Sequence, residues 1–126
     1  MMQKSAKRPV YLNLFQIQQP IGAVVSIVHR VTGALLALLT PFGLWALHLS
    51  LQGPAGYARV QAVLGSVPGR LLALLALWLL LQHLYSGIRH LLLDVNVGFE
   101  LPAARASAWA TFAASVITVV LVALLW

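Results

Sequence analysis

Cysteine is absent from the 126 residues. That excludes disulfides, thiolate zinc sites, cysteine-ligated iron–sulfur clusters and covalent haem attachment through C-x-x-C-H. Acid is nearly absent too, with Asp94 and Glu100 the only carboxylate side chains. Charged residues of both signs reach only 8%, where a soluble domain carries about 25%. Ten charged side chains cannot clothe a water-soluble fold of this size, which excludes an ordinary cytosolic enzyme. Hydrophobic residues at 61% exclude a disordered tail. What the chain does have is long apolar runs, and these point to a bilayer.

The eight Lys and Arg leave a net charge of +6. In a soluble protein that balance suggests nucleic acid. Here the basic residues form no patch with interleaved aromatics; they fall between apolar runs, as topology signals do. Membrane lipids are the expected surroundings, and nucleic acid is not an expected partner. A cleaved signal peptide is not expected either. Lys4, Lys7 and Arg8 make a basic start, but Asn13 to Pro20 is mostly polar and the next apolar run is too long.

Three apolar runs free of Asp, Glu, Lys and Arg are long enough to span: Val31 to Ala58, Leu71 to Ile88 and Ala106 to Trp126. The shortest has about 18 residues, the minimum for a crossing. None alternates with period two, so strands are excluded. The expectation is an all-α membrane protein with transmembrane helices near 22–50, 69–94 and 104–126. Residues 1–21 form an inner-face segment before a single transmembrane domain, 22–126. Gly53-Pro54 and Pro68-Gly69 mark Leu51 to Pro68 as a loop; Gly98 and Pro102 mark Val95 to Ala103 as another.

With the N-terminus inside, Lys4, Lys7, Arg8, Arg30, Arg89 and Arg105 face the inner side, against Arg59 and Arg70 outside. That asymmetry predicts an inside N-terminus and an outside C-terminus. In the third span Ala106, Ala110, Ala114 and Thr118 recur every four residues, a stripe suited to close helix packing. Trp109 and Trp126 lie about 26 Å apart on a helix rise and suit two interfacial belts. Pro41 should bend the first span. His48, toward the outer end of that span, reads as an interfacial residue without a role.

The costly residues gather elsewhere. The first span enters through Ser26-Ile27-Val28-His29-Arg30-Val31-Thr32-Gly33. The second leaves through His83-Leu84-Tyr85-Ser86-Gly87-Ile88-Arg89-His90, ending at Asp94. Antiparallel neighbours put both segments at one membrane level, so Ser26, His29, Arg30, Arg89, His90 and Asp94 should share a polar zone. Snorkelling at the interface is the plain alternative. For the whole set, a functional zone is the better reading, because ionisable groups within membranes mark function.

His83 lies about 9 Å deeper than Arg89. Its position alone suits a helix–helix hydrogen bond, a proton relay or a metal ligand. His83, Gly87 and His90 share a face at i, i+4 and i+7. Gly87 leaves room for a haem edge or for a neighbouring helix. His83 and His90, about 10 Å apart, cannot ligate both sides of one haem from one face. A haem here would be b-type and would take its sixth ligand from another subunit.

Arg8-Pro9, Leu14 and Ser26-x-x-His29-Arg30-x-Thr32-Gly33, followed by His83-x-x-x-Gly87-Ile88-Arg89-His90 and Asp94, resemble the two signatures of the succinate dehydrogenase cytochrome b556 subunit family. The resemblance covers nearly the whole chain. Two positions depart from it: Leu93, often an aromatic or Met in the family, and Asn96, often a small residue. The resemblance implies a haem-binding helical bundle completed by a second small membrane-anchor subunit. It implies iron–sulfur and flavoprotein subunits at the inner face of a bacterial inner membrane, with succinate oxidised in the flavoprotein. By position, His83 is the implied axial ligand of haem b, and His29, Arg30 and His90 meet the haem propionates. Ser26 and Arg30 line the implied ubiquinone pocket, and Asp94 and Glu100 deliver protons. Three alternatives are a haem-free structural anchor, the equivalent anchor of a fumarate reductase, and a small transporter. Charges confined to one edge argue against the last.

Overall fold

The computed structural model describes residues 17–126. Lys4, Lys7, Arg8, Pro9 and Leu14 lie outside the described residues, as does most of the 1–21 segment. The described residues form four helices: α1 (Ile21–Leu51), α2 (Pro54–Gly65), α3 (Val67–Asp94) and α4 (Leu101–Leu125). Three of them, α1, α3 and α4, are long and apolar enough to cross a membrane.

The helix ends explain where the sequence reading was short. Pro68 and Pro102 sit in the first turns of α3 and α4, where the missing N–H is no loss. Read as loop signals, they moved the expected starts inward. Ser66 caps α3 by accepting from the Gly69 N–H at 3.2 Å. α1 continues through Pro41 as one helix.

The segment read as the first loop is mostly α2. Its punctuation marks ends, not interior: Gly53, at φ 125°, stops the chain from extending α1, and Pro54 opens α2. Between Pro54 and Gly65 lie good helix formers, Ala55, Arg59, Gln61 and Leu64 among them. α2 folds back tightly. A side chain at Gly56 would strike the Leu49 carbonyl, and one at Gly69 would strike that of Val63.

α3 ends in a paired backbone motif. The Val97 N–H bonds the Leu92 carbonyl at 2.8 Å, and the Asn96 N–H bonds that of Leu93 at 3.0 Å. Asn96 has φ 60°, a conformation that Asn tolerates best after Gly. The departure at position 96 is therefore a workable helix stop.

α1 and α3 pack antiparallel. Gly22 approaches Arg89, His29 approaches Gly87, and Gly33 approaches His83. α4 returns antiparallel to α3. Arg89 meets Ala104 and Ser107 at one end, and Gln82 meets Ser115 farther along. The expected small-residue stripe is only partly buried: Ala114 and Thr118 are half-buried, and Thr118 meets Tyr85 of α3. Ala108, Thr111 and Ser115 are buried, while Ala106 and Ala110 are exposed. Ser115 bonds across the interface to Gln82, a contact lipid cannot replace, while Thr111 bonds the Ala108 carbonyl of its own helix. Trp109 and Trp126 are both exposed.

Candidate functional site

The site lies where α1 and α3 cross between residues 26–33 and 83–90. Two glycines permit the approach. A Cβ on Gly33 would stand 2.8 Å from His83 Cε1, and one on Gly87 would stand 3.3 Å from His29 Nε2. The space beside Gly87 is therefore taken by a side chain of the neighbouring helix, one of the two occupants its size allows.

Three histidines gather there. The rings of His29 and His83 stack at 4.1 Å between centroids and 7° between planes. His90 meets His29 edge-on at 5.2 Å and 62°. All three are half-buried.

The protonation pattern of His83 follows from its partners. Its Nδ1 lies 3.0 Å from the His29 carbonyl oxygen. A carbonyl only accepts, so Nδ1 carries the proton and donates. In the neutral ring Nε2 is then the bare nitrogen. It makes no hydrogen bond among the described residues, so its lone pair is free.

Arg30 is exposed and donates to Ser26 Oγ at 3.3 Å, one helical turn back. Ser26 and Arg30 therefore act as a pair on one flank of α1. The hydroxyl proton of Ser26 and the remaining guanidinium N–H groups are left for a ligand.

Arg89 does not join this zone. It is 7% exposed and donates from Nε to Ser107 Oγ and from Nη2 to the Ala104 carbonyl, each at 3.1 Å. The expected shared zone is corrected to that extent: this guanidinium clamps α3 to α4. Asp94 and Glu100 are exposed and make no side-chain hydrogen bond or ion pair among the described residues. Glu100 also marks the start of α4, its carbonyl accepting from the Ala104 N–H at 2.8 Å. His48 accepts from the Gln52 amide at 3.1 Å, far along α1 from the histidine cluster.

Sequence reasoning missed a buried polar seam between α3 and α4. Gln82, fully buried, donates to Ser86 Oγ at 2.9 Å and accepts from Ser115 Oγ at 2.7 Å. Tyr85 and Thr118 hydroxyls meet one turn away at 3.3 Å. The available signal was an amide inside an uncharged run, which lipid would penalise without partners.

These features define an all-α membrane-spanning bundle with a histidine cluster between two antiparallel helices. The chain matches the pattern of the family described as succinate dehydrogenase/fumarate reductase transmembrane subunit over residues 4–122. It is 34% identical over 124 residues to the succinate dehydrogenase cytochrome b556 subunit of Coxiella burnetii, covering 93% of this chain and 94% of that one. The cytochrome b556 subunit of Paracoccus denitrificans is 32% identical, with 90% and 88% covered. The cytochrome b560 subunit of Reclinomonas americana is 32% identical, with 75% and 69% covered. The chain belongs to this family of multi-pass transmembrane subunits, as a cytochrome b556 membrane subunit of succinate dehydrogenase. It is thus one part of a larger complex.

Proposed function

We propose that this subunit holds one side of a haem b and part of a ubiquinone pocket, at the inner face of a bacterial inner membrane. The observation that carries the reading is His83, with Nδ1–H bound to the His29 carbonyl and Nε2 free. A metal-ligating histidine typically anchors its second nitrogen in this way. One imidazole fills one coordination position, which suits an iron already held by a macrocycle. The donor set therefore fits haem b.

In this reading His83 would hold the haem iron through Nε2, and a second small membrane-anchor subunit would supply a further ligand. His29, Arg30 and His90 hold the propionates, for which a guanidinium and imidazoles are suitable donors. Bound there, the haem would supply a one-electron centre.

Reduction of ubiquinone to the quinol takes two electrons and two protons. The electrons come from the iron–sulfur subunit, after succinate is oxidised in the flavoprotein subunit. The part played by this chain is to bind and polarise the quinone. The Ser26 hydroxyl and the Arg30 guanidinium, paired at 3.3 Å, donate to a quinone carbonyl oxygen and stabilise its developing negative charge. Asp94 and Glu100, exposed near the ends of α3 and α4, replenish protons from the inner side. The N-terminus is cytoplasmic and the C-terminus periplasmic, following the excess of Lys and Arg on the cytoplasmic side.

The test is a dithionite-reduced minus oxidised spectrum of the purified complex, for wild type and His83→Ala. The expected result is a b-type signal that is lost or shifted in the variant. With it, Ser26→Ala and Arg30→Gln should raise KM for ubiquinone while succinate oxidation with a soluble acceptor continues. An unchanged spectrum in His83→Ala would refute the ligand assignment, and a wild type without a b-type signal would refute the haem.

A further inference from the structure

Thr32 is 1% exposed, and its hydroxyl oxygen has three neighbours within hydrogen-bond reach. They are the Val28 carbonyl at 2.8 Å, the His29 carbonyl at 3.0 Å and His83 Nδ1 at 3.3 Å. A hydroxyl has one proton and two acceptor lone pairs. The two carbonyls only accept, so the hydroxyl proton goes to the backbone of α1. Nδ1 of His83 already carries a proton. The Thr32 oxygen therefore faces an N–H and accepts from it.

We propose that Thr32 is a positioning residue for His83. The Nδ1–H is shared between the His29 carbonyl and the Thr32 hydroxyl, and the second acceptor fixes the ring and raises the donor strength of Nε2. This inference rests on the haem reading above and deepens it. The geometry is specific to the oxygen. Valine has nearly the shape of threonine and keeps its χ1 stiffness, but brings no acceptor. Serine keeps the oxygen and drops the methyl.

The chemical consequence has a sign. An acceptor on Nδ1–H pushes electron density toward Nε2, and a more basic ligand favours ferric over ferrous iron. Removing the acceptor should raise the haem reduction potential. It should also weaken haem retention, by about tenfold at the low end for partners of ligating residues. A tenfold change in ferric-over-ferrous preference reads as about 59 mV for a one-electron couple.

The experiment is a redox titration of the haem in the whole purified complex, with haem retention measured alongside, for wild type, Thr32→Val, Thr32→Ser and His83→Ala. The expected result is an upward shift and faster haem loss in Thr32→Val, with Thr32→Ser close to wild type. Thr32→Ala serves the same comparison should Thr32→Val not assemble. A Thr32→Val complex with wild-type potential and retention would overturn the inference, while loss of the b-type signal in His83→Ala would leave the haem reading standing. Equal shifts in Thr32→Val and Thr32→Ser would also overturn it, because the effect would then not follow the hydroxyl that only Thr32→Val removes. A wild-type complex without b-type haem would remove the haem reading, and this inference with it.

Discussion

Gly33→Ala is the smallest change that reaches the histidine cluster directly. The new methyl carbon would stand 2.8 Å from His83 Cε1 and 3.3 Å from Nδ1, where ordinary contact begins at 3.4 Å. The ring must retreat from α1 by about 0.6 Å to restore contact distance. Both acceptors of Nδ1–H, the His29 carbonyl and the Thr32 hydroxyl, are on α1. A retreat of that size carries the shorter bond from 3.0 Å to about 3.6 Å, beyond useful hydrogen-bond range. Overpacking costs about 1–3 kcal/mol and the lost bond about 0.5–1.5, so α1–α3 packing should weaken by about 1.5–4.5 kcal/mol. The assay is thermal stability of the detergent-purified complex, read together with its haem spectrum. Gly43→Ala is the control, on the same helix with nothing within 4 Å of the added carbon. Equal stability and spectra for the two variants would refute the reasoning, since the clash would then have no consequence.

The buried seam between α3 and α4 invites a double-mutant cycle. Ser115→Ala strips Gln82 Oε1 of its donor and should destabilise the helix pair by about 0.6 kcal/mol, up to about 1.7. Adding Gln82→Leu should cost less than the two single effects summed, because no buried amide is then left unpaired; strict additivity in a denaturation series would contradict the seam. The native chain has no cysteine, so topology can be mapped without background. A membrane-impermeant maleimide applied to intact spheroplasts should label Ala62→Cys and spare Phe99→Cys until the membrane is opened. The reverse pattern would invert the orientation.

The three long helices, their order and the meeting of residues 26–33 with 83–90 were legible because each depends on a period or a count. Apolar run length marks spans, and antiparallel neighbours must match ends. Details that depend on which side chain wins a contact were not legible. Gly53, Pro54, Pro68 and Gly69 marked boundaries, and the same residues fit a loop or a pair of helix ends. α2 lay hidden between them. The alanine stripe of α4 and its buried Ser/Thr face overlap along one helix, and only the partners on α3 decide between them. Arg89 sits beside His90 in sequence, yet the two side chains leave α3 in different directions. His90 meets His29, and Arg89 reaches α4. Thr32 looked like one small residue of a motif, although its i−3 and i−4 carbonyls were a hint that its hydroxyl proton is used on its own helix.

The buried set has an unusual chemistry that follows from the solvent. Buried apolar residues are Val25, Leu79 and Ala108, whereas the buried polar set is Thr32, Gln82, Ser86, Arg89, Thr111 and Ser115. Large hydrophobic side chains instead line the outside, Leu38, Phe42, Trp45 and Leu124 among them. In water that inversion would unfold the chain. In lipid, apolar groups gain little by leaving the hydrocarbon, so helices associate through close contact and hydrogen bonds. The contacts that hold this fold are therefore of the same kind as those that build its site. Thr32, His29 and His83 tie α1 to α3 and, in the proposed reading, also prepare an imidazole nitrogen. Arg89, Ser107 and Gln82 tie α3 to α4 a few residues away. In the proposed reading, moving one histidine would perturb helix packing as well as ligation. That is why potentials and spectra, and not yield alone, distinguish a lost ligand from a loosened bundle.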